Sequence, residues 1–172
     1  ASSARATARR WWTSRPRFAA SACNELGHLA RRAGDAEGAI RQYQRVIGEF
    51  AAQEPEGAAA LTWIGKVEAS RNRDAQASTA WLSVAERFPS QPIAAIRAAD
   101  LAALAALARG DRAAATKIVE ETRARFAADN PDQEFWSPKV DAAVARMKAP
   151  TRLATPAQDN DDAADADVDD DG

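Results

Sequence analysis

His28 and Cys23 are the only histidine and the only cysteine of the chain, and their side chains are the first candidates for acid–base or nucleophilic chemistry. Catalysis by a Ser–His or Cys–His pair also needs a group that orients the histidine, and none lies within reach along the sequence. Residues five positions apart do not share a helical face, which argues against a Cys23–His28 pair. The sequence contains no glycine-rich phosphate loop, HExxH or CxxC motif. We therefore expect a protein that is not an enzyme and uses no metal or cofactor.

Acidic residues near the end of the sequence have the alternating spacing of a calcium-binding loop, at Asp165, Asp167 and Asp169. An EF-hand loop needs glycine at its sixth position, where this sequence has Asp170. The surrounding segment has almost no apolar side chain to bury. Residues 151–172 are therefore predicted to be a disordered acidic tail that binds cations only weakly.

Charge is distributed unevenly along the chain, although its formal net charge is only -2. Residues 157–172 hold eight acidic residues and no basic one, whereas the rest of the chain has 23 basic and 17 acidic residues. A basic body favours an acidic partner, for which the tail itself is one candidate. Nucleic acid is disfavoured because the arginines are scattered without an aromatic stacking platform. No apolar run approaches the roughly 20 residues that a membrane-spanning helix needs.

An internal repeat with a period of about 38 residues organises the chain. Alanine and other helix formers dominate the composition, and β-branched and aromatic residues are sparse, which predicts helix throughout. When the sequence is offset by one period, Phe50, Phe88 and Phe126 fall in register without gaps. The other aligned sets are a small residue (Gly27, Gly65, Ala103), an alanine (Ala39, Ala77, Ala115) and a large apolar residue (Tyr43, Trp81, Val119). The repeating unit is therefore a helical hairpin.

The aligned turn residues indicate where each helix ends and the next begins. Glycine and asparagine are the residues that best adopt the left-handed conformation after a helix, so C′ caps are expected at Gly34, Asn72 and Gly110. Aspartate accepts hydrogen bonds from the first free amides of a helix. N-caps are therefore expected just beyond these turns, at Asp35, Asp74 and Asp111.

This pattern resembles the tetratricopeptide repeat, in its longer bacterial form. Gly27, Gly34, Ala39 and Tyr43 match that family's small, turn, alanine and aromatic positions, and two further copies match in part over roughly residues 20–131. The resemblance implies an all-α fold of antiparallel hairpins stacked as a right-handed solenoid, with about three repeats over residues 20–150. Ser137 and Pro138 form a helix start, which predicts a capping helix over residues 138–149, with Phe135 and Trp136 beneath it.

Tetratricopeptide proteins bind peptides or partner helices in a concave groove lined by the first helix of each hairpin. The resemblance thus implies a protein–protein interaction scaffold. In the register above, the groove-facing positions are Asn24, His28, Arg31, Thr62, Lys66, Arg97, Asp100 and Leu104. Donors and cations prevail among them, so the expected ligand is an acidic or C-terminal peptide of a protein partner. Two alternatives stay open: a regulatory or oligomerisation module of a larger protein, and an envelope assembly factor.

Residues 1–19 admit two interpretations. Their arginine-rich, acid-free composition is that of a targeting segment. However, Trp12 lies one period before Phe50, so the segment also fits the second half of a preceding repeat, which is the interpretation we favour.

Cys23 follows Ala20, Ser21 and Ala22, a combination that occurs in lipoprotein cleavage sites. Such a site needs a preceding apolar stretch of roughly 7–15 residues, which the charges of residues 15–17 interrupt. Cys23 is therefore expected to be a packing residue. The turn around Pro89 is similar to that of bacterial envelope tetratricopeptide proteins, which slightly favours the periplasm or envelope over the cytoplasm.

Overall fold

The protein is all-α over the part that the structure, a computed structural model, describes: residues 15–129 and 136–148. Three hairpins follow one another, and each has a longer first helix (helix A) and a shorter second helix (helix B). The helices are α1 (Pro16–Arg32), α2 (Ala36–Glu49), α3 (Glu54–Ser70), α4 (Asp74–Arg87), α5 (Pro92–Ala108), α6 (Arg112–Arg125) and α7 (Pro138–Lys148). The predictions for Trp12 and the rest of residues 1–14, for Phe135 and for residues 149–172 lie outside the described residues.

The period found in the sequence is confirmed by the helix boundaries. The A helices begin at Pro16, Glu54 and Pro92 and each has 17 residues. The B helices begin at Ala36, Asp74 and Arg112 and each has 14 residues. Every helix of the three hairpins therefore starts and ends one full period after its counterpart. Proline occurs in the first turn of all three A helices, where its missing amide proton costs no hydrogen bond.

Left-handed residues end the A helices, as the sequence predicts. Gly34 and Gly110 have φ angles of 81° and 79°, and Asn72 has 58°. Two of the three expected N-caps are also confirmed, because Asp35 accepts from the Gly38 amide at 2.7 Å and Asp111 accepts from the Ala114 amide at 2.9 Å.

The N-cap prediction at Asp74 is wrong by one position. Arg73 occupies the cap and makes no side-chain cap hydrogen bond, while Asp74 is the first residue of α4. Asp74 stands one place later in the repeat than Asp35 and Asp111, so its side chain is inside the first turn. There its negative charge still interacts favourably with the positive end of the helix dipole.

Large side chains of each B helix pack on small residues of its A helix. A Cβ atom on Gly27 would lie 2.5 Å from the Tyr43 ring, and one on Gly65 would overlap the Trp81 indole. Trp81 also donates its indole N–H to the Thr62 carbonyl at 3.1 Å. Because glycine has no side chain, these helices approach closely enough to bury the rings almost completely.

The three aligned phenylalanines occupy equivalent places, as the repeat requires. Phe50, Phe88 and Phe126 each follow the last residue of a B helix and donate their amide to the carbonyl four residues earlier. Phe88 and Phe126 are buried, and Phe50 is half-buried. Apolar contact at this position closes each hairpin.

The hairpins stack in chain order, and their A helices form one continuous layer. Helix α1 contacts α3, and α3 contacts α5, while among the described residues no such contact joins α2 to α4 or α4 to α6. We call the surface formed by this continuous layer of A helices the inner surface of the stack. Helix α7 packs on α5 and α6 at its far end.

Helix α7 covers the last hairpin. Its predicted start is confirmed, because the Ser137 hydroxyl accepts from the Val140 amide at 3.2 Å. Val140, Val144 and Trp136 are each at most 5% exposed. Arg123 of α6 pairs with Asp141 and lies over the Trp136 ring. The apolar face of the third hairpin is thereby closed.

Candidate binding surface

Trp63 is the centre of a group of aromatic and cationic side chains on the inner surface. The Arg31 guanidinium lies 4.9 Å from the centroid of the Trp63 ring, and the Lys66 ammonium lies 4.3 Å from it. The His28 ring meets the indole edge-on with 4.7 Å between centroids. Helix α1 supplies Arg31 and His28 and helix α3 supplies the other two, so the contact of these A helices forms the group. We call these four residues the Trp63 cluster.

A buried tyrosine holds His28 in position. The Tyr43 hydroxyl of α2 lies 2.7 Å from His28 Nδ1, and the two rings are 5.5 Å apart. Tyr43 is itself fixed because its ring fills the space above Gly27. A neutral histidine can accept a hydrogen bond from the Tyr43 hydroxyl at Nδ1 and carry its own proton on Nε2.

Burial and positive charge keep His28 neutral. Burial lowers the pKa of His28, and Arg31, Arg32 and Lys66 lower it further, while Glu25 opposes them. Burial likewise raises the pKa of Tyr43, although Arg31 works in the opposite direction. The hydrogen bond between the two rings is therefore a neutral one near pH 7.

The cations of the Trp63 cluster have no carboxylate partner among the described residues. Other arginines do, such as Arg71 with Glu37 at 2.5 Å and Arg45 with Glu49 at 3.1 Å. Arg31 and Lys66 take part in no ion pair within 15–129 and 136–148. Two exposed cations on one indole thus remain able to bind an anionic group.

Asn24, Thr62 and Asp100 share one position of the repeat, and two of them, Asn24 and Asp100, bond to a neighbouring element. Asn24 is buried and donates to the Glu56 carbonyl of α3 at 3.1 Å. Asp100, its counterpart in α5, accepts from the Ser137 amide before α7 at 3.0 Å. Thr62 donates to the Ala58 carbonyl in its own helix at 2.8 Å. These three polar groups are engaged with the backbone, so they are not part of the Trp63 cluster.

The remaining predicted residues lie on α5. Arg97 is exposed near the start of that helix. Leu104 is half-buried and packs against the core, together with Leu101 and Leu107. The inner surface is thus cationic on α1 and α3 and more apolar on α5.

Trp63 itself is the functional candidate that the sequence reasoning missed. It aligns with Glu25 and Leu101 in the repeat, so no common chemical type marked the position. A signal existed, because Trp63 and Lys66 are three residues apart and share a helical face. The aromatic matches at Tyr43 and Trp81 drew attention to the core instead.

Cys23 is buried in the core, at 1% exposure, as predicted for a packing residue. Burial is also the main reason that the pKa of its thiol is raised. A raised pKa disfavours the reactive thiolate.

A separate groove of about 200 Å³ lies between α4, α5 and α6, and its walls include Leu82, Ala99 and Arg125.

No helix in the described part of the chain is long and apolar enough to cross a membrane. Residues 15–129 and 136–148 contain no group of three or more histidine, cysteine or acidic side chains arranged to hold a metal ion. The chain matches no model of a known protein family. Its sequence also matches none of the curated proteins with which it was compared.

Proposed function

We propose that the chain is a tetratricopeptide-like scaffold whose inner surface binds an acidic peptide segment of a protein partner. The observation that carries the proposal is the Trp63 cluster, in which Arg31 and Lys66 flank one indole without a carboxylate of their own. Each cation can donate charge-assisted hydrogen bonds to a carboxylate of an acidic ligand. The protein then acts by binding and positioning its partner.

The aromatic group strengthens an anion site in two ways. Contact with the Trp63 ring restricts both cationic side chains, so less conformational entropy is lost when a ligand binds. The indole also offers a flat apolar surface beside the charges, on which the backbone of an extended peptide can rest. His28 adds an Nε2–H donor if its Nδ1 accepts from Tyr43.

The apolar side chains of α5 extend the surface beyond the charged cluster. Leu104 occupies the place in α5 that Lys66 occupies in α3, and both helices belong to the inner layer. A ligand that crosses from α3 to α5 therefore meets cations first and leucines next. We propose an acidic segment followed by an apolar side chain as the preferred ligand.

A titration with a defined peptide tests this proposal. The probe is a fluorescent peptide with the sequence of residues 157–172, and its control has all eight aspartates replaced by asparagine. Fluorescence anisotropy with the full chain is expected to show binding of the acidic peptide only, with an affinity that falls as salt is added.

Matched substitutions distinguish binding at the Trp63 cluster from general electrostatic attraction. Arg31→Met with Lys66→Met is expected to weaken binding by about tenfold or more, since two charge-assisted contacts are lost. The control, Arg41→Met with Lys117→Met, removes the same charge from exposed positions of α2 and α6. Equal weakening by both pairs, or equal binding of the two peptides, would reject the site.

A further inference from the structure

A groove of about 200 Å³ lies on the side of the stack that the B helices form. Its walls are the B helices α4 and α6, and its floor is the A helix α5, which packs against both. The lining includes Leu82 and Ala85 from α4, Ala99 from α5 and Arg125 from α6. We call it the outer groove. It shares no residue with the Trp63 cluster on the inner surface.

Two alanines account for the space in the outer groove. Ala85 and Ala99 stand one period after Ile47 and Leu61 in the repeat. Ile47 and Leu61 are 8% and 6% exposed, so large aliphatic side chains are buried at the equivalent positions of α2 and α3. The helices themselves repeat without a change of length or spacing. The outer groove therefore has room for an aliphatic side chain of the kind that the chain itself supplies at the preceding junction.

The rim and the base of the outer groove are apolar as well. Leu82 of the α4 wall is 39% exposed, whereas the polar Gln44 stands one period earlier. Trp81 lines the groove, and its indole N–H already donates to the Thr62 carbonyl at 3.1 Å. The ring thus offers an apolar surface without an unpaired donor. An exposed leucine beside an open apolar groove indicates a contact surface.

Arg125 links the two walls of the outer groove. Its guanidinium donates to the Ala85 carbonyl of α4 at 2.7 Å and lies 5.4 Å from the centroid of the Phe126 ring. The hydrogen bond connects α6 with the backbone of α4 and so holds the walls at a fixed separation. A ligand therefore enters a groove that is already formed, which lowers the entropy lost on binding.

Two carboxylates stand on opposite walls of the outer groove. Glu86 of α4 and Glu121 of α6 both line it and are exposed. Glu86 takes part in no ion pair within 15–129 and 136–148. Glu121 pairs with Lys117 at 3.8 Å, but both side chains are mostly exposed, and such pairs contribute little. Charge complementarity therefore favours a ligand with basic groups beside its apolar one.

We propose that the outer groove binds a peptide segment of a protein partner in which a large aliphatic side chain stands next to lysine or arginine. The aliphatic side chain takes the role that Ile47 and Leu61 have at the preceding junction, and the basic groups pair with Glu86 and Glu121. This ligand is opposite in charge to the one proposed for the Trp63 cluster. Because the two sites are on different layers of helices, one chain can hold both segments at once.

Fluorine NMR of the full chain labelled with 5-fluorotryptophan tests the proposal, because Trp81 lines the outer groove. Trp81→Phe assigns its signal among the five tryptophans. The probe is the peptide acetyl-Lys-Leu-Lys-amide, which is expected to shift the Trp81 signal at low salt. The control peptides are acetyl-Lys-Ala-Lys-amide, which lacks the large side chain, and acetyl-Glu-Leu-Glu-amide, which reverses the charge. Neither control is expected to shift the signal.

Variants that fill the outer groove are expected to abolish the peptide-induced shift. Ala99→Leu places in α5 the leucine that α3 has at Leu61, and Ala85→Ile does the same from the α4 wall. The control Ala75→Leu, at an exposed position of α4, should leave the shift intact. Far-UV circular dichroism checks that the variants keep the helices of the unmodified chain.

Neutral variants of the two carboxylates test the charge requirement. Glu86→Gln with Glu121→Gln is expected to weaken peptide binding by about threefold or more, since two ion pairs with the ligand are lost. The control Glu25→Gln with Asp129→Asn removes the same charge from exposed positions outside the groove. Arg31→Met with Lys66→Met should leave the Trp81 shift unchanged, so that this site is tested separately from the Trp63 cluster.

Four results would overturn the proposal. The first is a Trp81 signal that does not move at up to about 10 mM peptide. The second is an unchanged peptide-induced shift in both Ala99→Leu and Ala85→Ile, because the leucine would then lie elsewhere. The third is equal binding of the basic and acidic peptides. The fourth is a concentration-dependent dimer in sedimentation velocity that is lost in Leu82→Ser, because a second copy would then cover the groove.

Discussion

The Tyr43 hydroxyl lies 2.7 Å from Nδ1 of His28, so a side chain of an outer helix fixes a ring on the inner surface. Tyr43 is fully buried against Gly27, and His28 in turn meets the edge of Trp63. The packing of the first hairpin and the shape of the candidate site therefore depend on the same residues.

The pKa of His28 is predicted to lie below its ordinary value of 6.5, because burial and nearby cations disfavour the imidazolium. Proton NMR can follow its ring signals without overlap, since the chain has one histidine. A depressed pKa stabilises the fold above 6.5 and loses that contribution as the pH falls, because the unfolded chain binds the proton more readily. The contribution of His28 to the free energy of unfolding should therefore decrease as the pH falls below 6.5.

Lys66→Met supplies the control for the electrostatic part of that pKa shift. Removing this cation is expected to raise the pKa of His28, whereas Lys117→Met, on α6, leaves it unchanged. A pKa at or above 6.5 in the unmodified chain would contradict the described environment of His28.

Gly65→Ala is predicted to destabilise the fold by about 1–3 kcal/mol, because the new methyl group overlaps the Trp81 indole. Gly48→Ala is the matched control: no atom lies within 4 Å of its new Cβ, and helix propensity favours alanine there by up to about 1 kcal/mol. Urea denaturation followed by circular dichroism measures both changes. Equal stabilities of the two variants would contradict the close approach of α3 and α4.

Much of the fold could be predicted because each of the three hairpins imposes the same physical requirements on its aligned residues. Gly34, Asn72 and Gly110 differ in type but share the ability to adopt positive φ, so alignment exposed the helix ends. The Asp74 error shows the limit of this logic. An aspartate near a turn indicates an N-cap, but it does not show which of two adjacent residues occupies the cap. The backbone around Arg73 decides this.

The candidate site was less predictable because its members act across helices. His28, Arg31 and Lys66 were expected on the inner surface, and the structure brings them together around Trp63. Asp100 was expected there too, but it accepts from an amide before α7, a contact 37 residues away that no local pattern encodes.

Asp100→Ala is therefore predicted to act mainly on stability. Losing the bond to the Ser137 amide should cost about 1 kcal/mol and loosen α7, since that amide is left without its acceptor. Hydrogen exchange of the α7 amides measures this loosening directly. Thr62→Ala at the equivalent position of α3 should leave α7 protection unchanged, and a similar effect of both substitutions would refute the special role of Asp100.

Deleting residues 155–172 is predicted to strengthen binding of an acidic peptide at low salt. The segment carries eight negative charges that compete for the cations of the Trp63 cluster. The gain should vanish at about 1 M salt, where charges are screened within about 3 Å. Anisotropy titrations at both salt concentrations measure the effect. Equal affinities of the full and the shortened chain at low salt would contradict the predicted competition.

The most direct test of the binding surface is the pKa of His28 with and without a bound acidic peptide. A carboxylate bound at Arg31 or Lys66 would offset the charge of a cation that lowers the pKa of His28, so saturating peptide should raise that pKa as measured by NMR. The asparagine peptide should leave that pKa unchanged. A peptide that binds to saturation without changing the pKa of His28 would contradict the account, because its carboxylates would then lie elsewhere.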